Sequence, residues 1–198
     1  VGFNLERMRL TTANGAYGTL SILDGRWIKF DKLILSANNS SALRHWNYKV
    51  FSDPTAVVVR NCKFIGTGTY AAPIIQLTRS ITFQNCTVVN NGGSFDIGLN
   101  LWNSDLSQIA TNCVIVALNS GTFSTGCFAF GASLIAGNDC NASSDTTAQG
   151  TITEVHNVSV SDGVDFVEPS TGNYQPTSSG ALAGAGTDLS AFFDDDIT

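Results

Sequence analysis

The chain has 198 residues, enough for one domain with a substantial core, and nothing in it forces a second. Only 13% of its residues are charged and the net charge is −6, which argues against a surface that tracks nucleic-acid phosphates or is drawn to anionic membranes. Its 19 glycines, with abundant Ser, Thr and Asn, punctuate short apolar runs, so the chain reads as mostly β.

No apolar run approaches the roughly 20 residues that cross a bilayer and no basic-then-apolar leader precedes Val1, while the missing initiator Met suggests a processed or trimmed chain. In chain order, six hexads share one pattern: LERMRL from Leu5, FDKLIL from Phe30, VRNCKF from Val59, FQNCTV from Phe83, ATNCVI from Ala110 and VHNVSV from Val155. Each is apolar at its first, fourth and sixth places and polar elsewhere, except at Ile34 and Val114. The fourth places are Met8, Leu33, Cys62, Cys86, Cys113 and Val158, separated by 25, 29, 24, 27 and 45 residues. A recurrence of this length marks a repeat architecture, and the long last step reads as two periods with a degenerate member in CFAFGASLIAG from Cys127.

Two adjacent outward residues inside each hexad break both the two-residue strand alternation and the helical stripe. The pattern predicts a strand, a corner and a second strand. Asn61, Asn85, Asn112 and Asn157 fit the corner because asparagine tolerates left-handed backbone angles; Arg7 and Lys32 hold that place in the first two periods. The upstream pieces LSIL, YKVF, IIQL and GLNL add a further strand per period, so like strands should stack about 4.8 Å apart. The expected fold is all-β: a parallel solenoid of about seven turns over residues 1–160, with an irregular C-terminal capping tail over 161–198.

In that stack Met8, Leu33, Cys62, Cys86, Cys113 and Val158 form one inward core ladder. A straight file of thiols has neither the tetrahedral geometry of zinc nor the close Cβ approach of a disulfide, so core packing is expected, with no metal and no cofactor. The full cysteine set also includes Cys127 and Cys140 and contains no CxxC pair.

The Asn-Cys corners, together with NASSDTTAQG from Asn141, DFVEPSTGNY from Asp165 and AGAGTDLS from Ala183, resemble the right-handed parallel β-helix proteins of the pectin-lyase-like superfamily over nearly the whole chain. SGALAGAGT lacks the Ser-Pro-Ala-like step of the family's closing pattern, and the chain stops at DDDIT instead of continuing past an Asp-Ile-Asp-Gly-like stretch. A tail carrying Phe166, Tyr174, Leu182, Leu189, Phe192 and Phe193 is expected to act as a lid on one end of the stack. The hexads begin almost at Val1, so the opposite edge calls for preceding sequence, a partner chain or an oligomeric neighbour.

The superfamily includes polysaccharide lyases and glycoside hydrolases, but no Gly-His-Gly, no Asp pair on a repeat strand and no Arg-Ile-Lys-like signature occurs here. Asp194, Asp195 and Asp196 read as a solvated run. Asp24, Asp53, Arg79 and Asp105 recur seven to nine residues before the fourth places and are the candidate binding column for sugar or calcium, weighed against ordinary turn chemistry, which is favoured. His45 and His156 are too far apart in sequence for a triad, and Trp27, Trp46, Tyr48, Tyr70 and Trp102 do not share a column. The resulting expectation is a non-catalytic structural or attachment element of an extracellular assembly. The resemblance points to a phage virion fibre, spike or surface decoration, partnered by other protein subunits, its own copies included, or by cell-surface polysaccharide. A secreted lyase or hydrolase working in a lateral groove, and a carbohydrate-binding adhesin, are the alternatives.

Overall fold

A computed structural model describes residues 2–12, 19–22, 27–45, 57–70, 74–77, 81–101, 108–130, 141–143 and 155–185. The first sheet orders β1 (Gly2–Glu6), β4 (Trp27–Asp31), β7 (Val57–Arg60), β11 (Ile81–Gln84) and β14 (Gln108–Thr111). The second orders β2 (Arg9–Thr12), β5 (Ile34–Asn38), β8 (Lys63–Thr67), β12 (Thr87–Asn91), β15 (Val114–Leu118), β17 (Asn141–Ser143) and β18 (Val155–Asn157). The third orders β3 (Leu20–Ile22), β6 (Leu43–His45), β10 (Ile75–Leu77), β13 (Ser94–Leu101) and β16 (Thr122–Phe130), with β9 (Thr69–Tyr70) beside β13. Within these three sheets every pairing is parallel, and a short antiparallel hairpin of β19 (Phe166–Glu168) and β20 (Asn173–Pro176) stands apart. The protein is therefore all-β and dominated by parallel sheets, which the chain visits in rotation. LSIL, IIQL and GLNL supply strands of the third sheet, whereas YKVF lies outside the described residues.

The inward residues explain why the strands stay in register. Phe30, Val59, Phe83 and Ala110 of the first sheet share one core cluster with Leu35, Phe64, Val88 and Ile115 of the second and Leu43, Ile75, Leu99 and Phe123 of the third. A one-residue slip would turn each inward set outward, so burial fixes the pairing. At each of the five described crossings from the first sheet to the second the corner is two residues. Its first residue is left-handed, with φ of 54° at Arg7, 55° at Lys32, 55° at Asn61, 50° at Asn85 and 53° at Asn112. Its second is Met8, Leu33, Cys62, Cys86 or Cys113, and the next strand's first amide donates to the carbonyl of the equivalent residue one period back. Ile34 N bonds Met8 O at 2.9 Å, Lys63 N bonds Leu33 O at 2.8 Å, and Thr87 N and Val114 N bond Cys62 O and Cys86 O at 2.9 Å each.

The three thiols of this file are buried and not in disulfides. Each donates to the carbonyl two residues earlier: Cys62 to Arg60 at 3.0 Å, Cys86 to Gln84 at 3.2 Å and Cys113 to Thr111 at 3.4 Å. Burial, reinforced by Cys113 and Cys62 on either side, pushes the Cys86 thiol well above its ordinary value. These cysteines therefore pack as small apolar groups.

Four expectations need correction. Met8 belongs to the file but is 40% exposed, because it lies at the end of the stack and has a neighbour on one side only. The sixth hexad is out of phase: Val155 pairs with Asn141, the residue preceding Ala142, whose partner is Val114, so Val155 takes the level of Cys113. Val158 accordingly joins Val89, Val116 and Phe166 in a second cluster, and Asn157 is a strand residue paired with Ser143, not a corner. The degenerate member expected from Cys127 opens inside β16 of the third sheet as far as Phe130, and its residues 131–137 lie outside the described residues. Finally, the described part of the tail covers a flank instead of an end: Phe166, Tyr174 and Leu182 pack with Val89 and Val116 on the outer side of the second sheet. Leu189, Phe192 and Phe193 lie outside the described residues.

The corner from the second sheet to the third is closed by a buried amide. Asn90 accepts from Gly93 N at 3.0 Å and donates to Gly93 O at 3.0 Å and Thr122 O at 2.8 Å. A methyl group on Gly93 would collide with the Gly68 carbonyl of the adjacent period. Gly93→Ala should therefore lower stability by about 3 kcal/mol, read as a drop in melting temperature, because backbone cannot yield as a side-chain tip can. Native-state alkylation should be slow at Cys62, Cys86 and Cys113 and become complete only on denaturation, measured by mass spectrometry.

Candidate functional site

The outward places of the first three hexads gather charge along one corner. Across the first sheet Glu6, Asp31, Arg60, Gln84 and Thr111 stand in register. Asp31 is only 3% exposed, and its carboxylate accepts from Arg60 Nε at 2.8 Å and lies 2.6 Å from the second guanidinium nitrogen, with Lys29 at 3.9 Å. Its other oxygen accepts from Asn61 Nδ2 at 3.1 Å. A buried carboxylate is tolerable only with partners of this kind.

From Asn61 the corner side chains run on as an amide file. Asn85 Nδ2 donates to Asn61 Oδ1 at 3.5 Å, and Asn112 Nδ2 donates to Asn85 Oδ1 at 3.1 Å. Such bonds are worth roughly 1 kcal/mol each, and the file serves mainly to hold the left-handed corners in line. The corner asparagines are thus structural, linked to one another through their amides.

On the outer side of the second sheet Arg9, Ile34, Lys63, Thr87 and Val114 stand in register. Lys63 Nζ donates to Gly172 O at 2.9 Å and sits 4.6 Å from the centre of the Tyr174 ring, which ties the tail to the sheet. Burial, then repulsion from Arg9, lowers the Lys63 pKa. Tyr174 meets Phe166 edge-on at 5.8 Å, and burial pushes its phenol up to about 12. The tail is pinned internally by the buried Asp165, which accepts from Ser159 N at 2.5 Å and Ala181 N at 2.6 Å.

Arg7, Arg9, Lys29, Lys32, Arg60 and Lys63 therefore bring six of the chain's ten basic residues to one corner, with Glu6 and Asp31 the carboxylates beside them among the described residues. Of these, Arg7 and Arg9 are exposed. Arg7 lies 3.5 Å from the Glu6 carboxylate, Arg60 and Lys29 face Asp31, and Lys63 binds the tail, so much of this charge is met within the chain. Among the described residues no three His, Cys, Asp or Glu side chains cluster for a metal. Asp24, Asp53, Arg79 and Asp105 all lie outside the described residues, as do Asp194, Asp195 and Asp196, and His45 and His156 fall in different sheets.

This corner escapes a reading based on total charge. Its signal is positional: every Lys and Arg lies at or before Arg79, whereas twelve of the sixteen carboxylates lie beyond it.

The tail contact generates a pH prediction. Tyr174 has a folded pKa of about 12 against an unfolded value of about 10, so its contribution is complete below pH 10 and is lost as pH rises through the folded value. Lys63 runs the other way, because its folded pKa is depressed; its contribution grows up to its unfolded value of about 10.4 and is level beyond. The melting temperature should therefore fall as pH rises above about 11 in the native chain, and Tyr174→Phe should make that fall smaller.

No protein-family model matches the chain, and neither a curated protein nor a solved structure is detectably similar to it.

Proposed function

We propose that the three sheets are the walls of a single parallel β-solenoid of the pectin-lyase-like kind, and that it serves as a non-catalytic structural or attachment element of an extracellular assembly. The observation that carries this reading is the rotation of the chain through three parallel sheets around one shared core. Parallel strands joined by crossovers are right-handed in about 98% of cases, which supports a right-handed winding. Stacked parallel turns form a rigid rod, and the visible polar chemistry of the described residues serves internal bonds: thiol to carbonyl, amide to amide, Asp31 to Arg60. A virion fibre, spike or surface decoration is the instance favoured by the sequence resemblance, which makes the virion or cell exterior the proposed location and other subunits the proposed partners.

Fractionation of the native source should recover the chain in high-mass extracellular particles. The purified chain should show neither reducing-sugar nor unsaturated-product release over a panel of acidic polysaccharides. Turnover that disappears on Asp53→Ala, from a chain recovered as a free secreted protein, would replace the structural reading with the lyase or hydrolase one.

A further inference from the structure

The outer face of the second sheet carries two patches of opposite character. At one end, β2 and β5 present Arg9 and Ile34 outward, next to Arg7 and Lys32 at the corner. Further along, from Ile65 of β8 to Val114, Val116 and Leu118 of β15, the same face is covered by the tail. Residues 161–198 contain seven carboxylates and no lysine or arginine. Of these, Asp162 and Glu168 are exposed on the described tail, Asp162 held in place by Ser170 N at 3.1 Å and Ser170 Oγ at 2.6 Å.

Apolar exposure follows the same division. Among the described residues the large hydrophobic side chains left exposed are Met8 at 40%, Val164 at 48% and Val167 at 42%. Met8 belongs to the basic end and the two valines to the acidic tail. The tail begins to cover the sheet at β8, where Lys63 binds Gly172 and faces Tyr174, so the basic end on β2 and β5 and the acidic tail are adjoining parts of one face.

A face that is basic and apolar at one end, and acidic and apolar at the other, is complementary to its own copy turned by half a revolution. We infer that the chain forms a two-fold dimer through the outer side of the second sheet, with Arg7, Arg9 and Met8 of each copy set against Glu168, Val164 and Val167 of its partner copy. A two-fold interface is closed, because each patch meets its counterpart twice and no further copy is recruited. This pairing rests on surface charge and exposure, and it holds or fails independently of the assembly role proposed above.

Sedimentation velocity on the full chain over a range of concentrations tests it. The expected result is a monomer–dimer equilibrium whose affinity falls about tenfold or more between roughly 0.05 and 0.5 M NaCl, as charge complementarity is screened. Arg7→Glu with Arg9→Glu should give monomer, and Glu168→Lys alone should do the same. All three substitutions in one chain should restore the dimer, because a two-fold interface exchanges both signs at once; simple loss of folding cannot produce that rescue. If the reversed variants melt early, the milder pair Arg9→Gln and Val167→Ser should still weaken the dimer at an unchanged melting temperature. A monomer at every concentration in low salt overturns the inference, as does a dimer indifferent to all these changes. A monomer that instead retains a sulfated polysaccharide through Arg7 and Arg9 overturns it too, and reassigns the basic corner to a glycan.

Discussion

The structure depends on in-register parallel stacking: each residue of a corner meets its own equivalent from the neighbouring period. The two-residue step between the first and second sheets enforces this, because a left-handed residue turns the chain and the next strand's first amide binds the carbonyl one period back. Once the backbone is locked in this way, like side chains must face like. Cys62, Cys86 and Cys113 form one file and Asn61, Asn85 and Asn112 another. A side chain succeeds here only if it tolerates its own kind as a neighbour. Asn and Cys do, the first by donating and accepting in turn, the second by remaining neutral.

Much of this was legible in the sequence because inward places recur at fixed offsets from a corner residue. The reading failed where the pattern is ambiguous under a shift. VHNVSV is apolar three residues apart, so a frame moved by three places still matches at its first and fourth places, Ile152 and Val155, and fails only at the sixth, Asn157; pairing with β17 puts Val155, not Val158, at the level of Cys113. Met8 shows a different limit, since periodicity identifies a file but not its last member, and the last member is wet. The basic corner was hidden by averaging: a chain of net charge −6 looks uniformly acidic until its lysines and arginines are placed on strands. Asp24, Asp53, Arg79 and Asp105 lie outside the described residues.

The tail shows how a flank can be finished without a second domain. Parallel strands with Ile65, Val89, Val116 and Leu118 pointing outward would leave an apolar stripe in water. Phe166, Tyr174 and Leu182 cover that stripe, and the tail gains its own order from Asp165 and from the Lys63 bond to Gly172. Covering one part of the sheet and leaving β2 and β5 open gives the face its two ends, a polarity that uniform strands could not provide.

The recurrence of the two-residue corner contrasts with the third sheet, whose strands run from three residues in β3, β6 and β10 to eight in β13 and nine in β16. Strands of such unequal length leave the neighbouring files in step, so the architecture isolates change on one side from order on the other. Length can vary along the third sheet while the opposite corner keeps its geometry, which makes that side of the protein the natural place for descendants of this sequence to diverge.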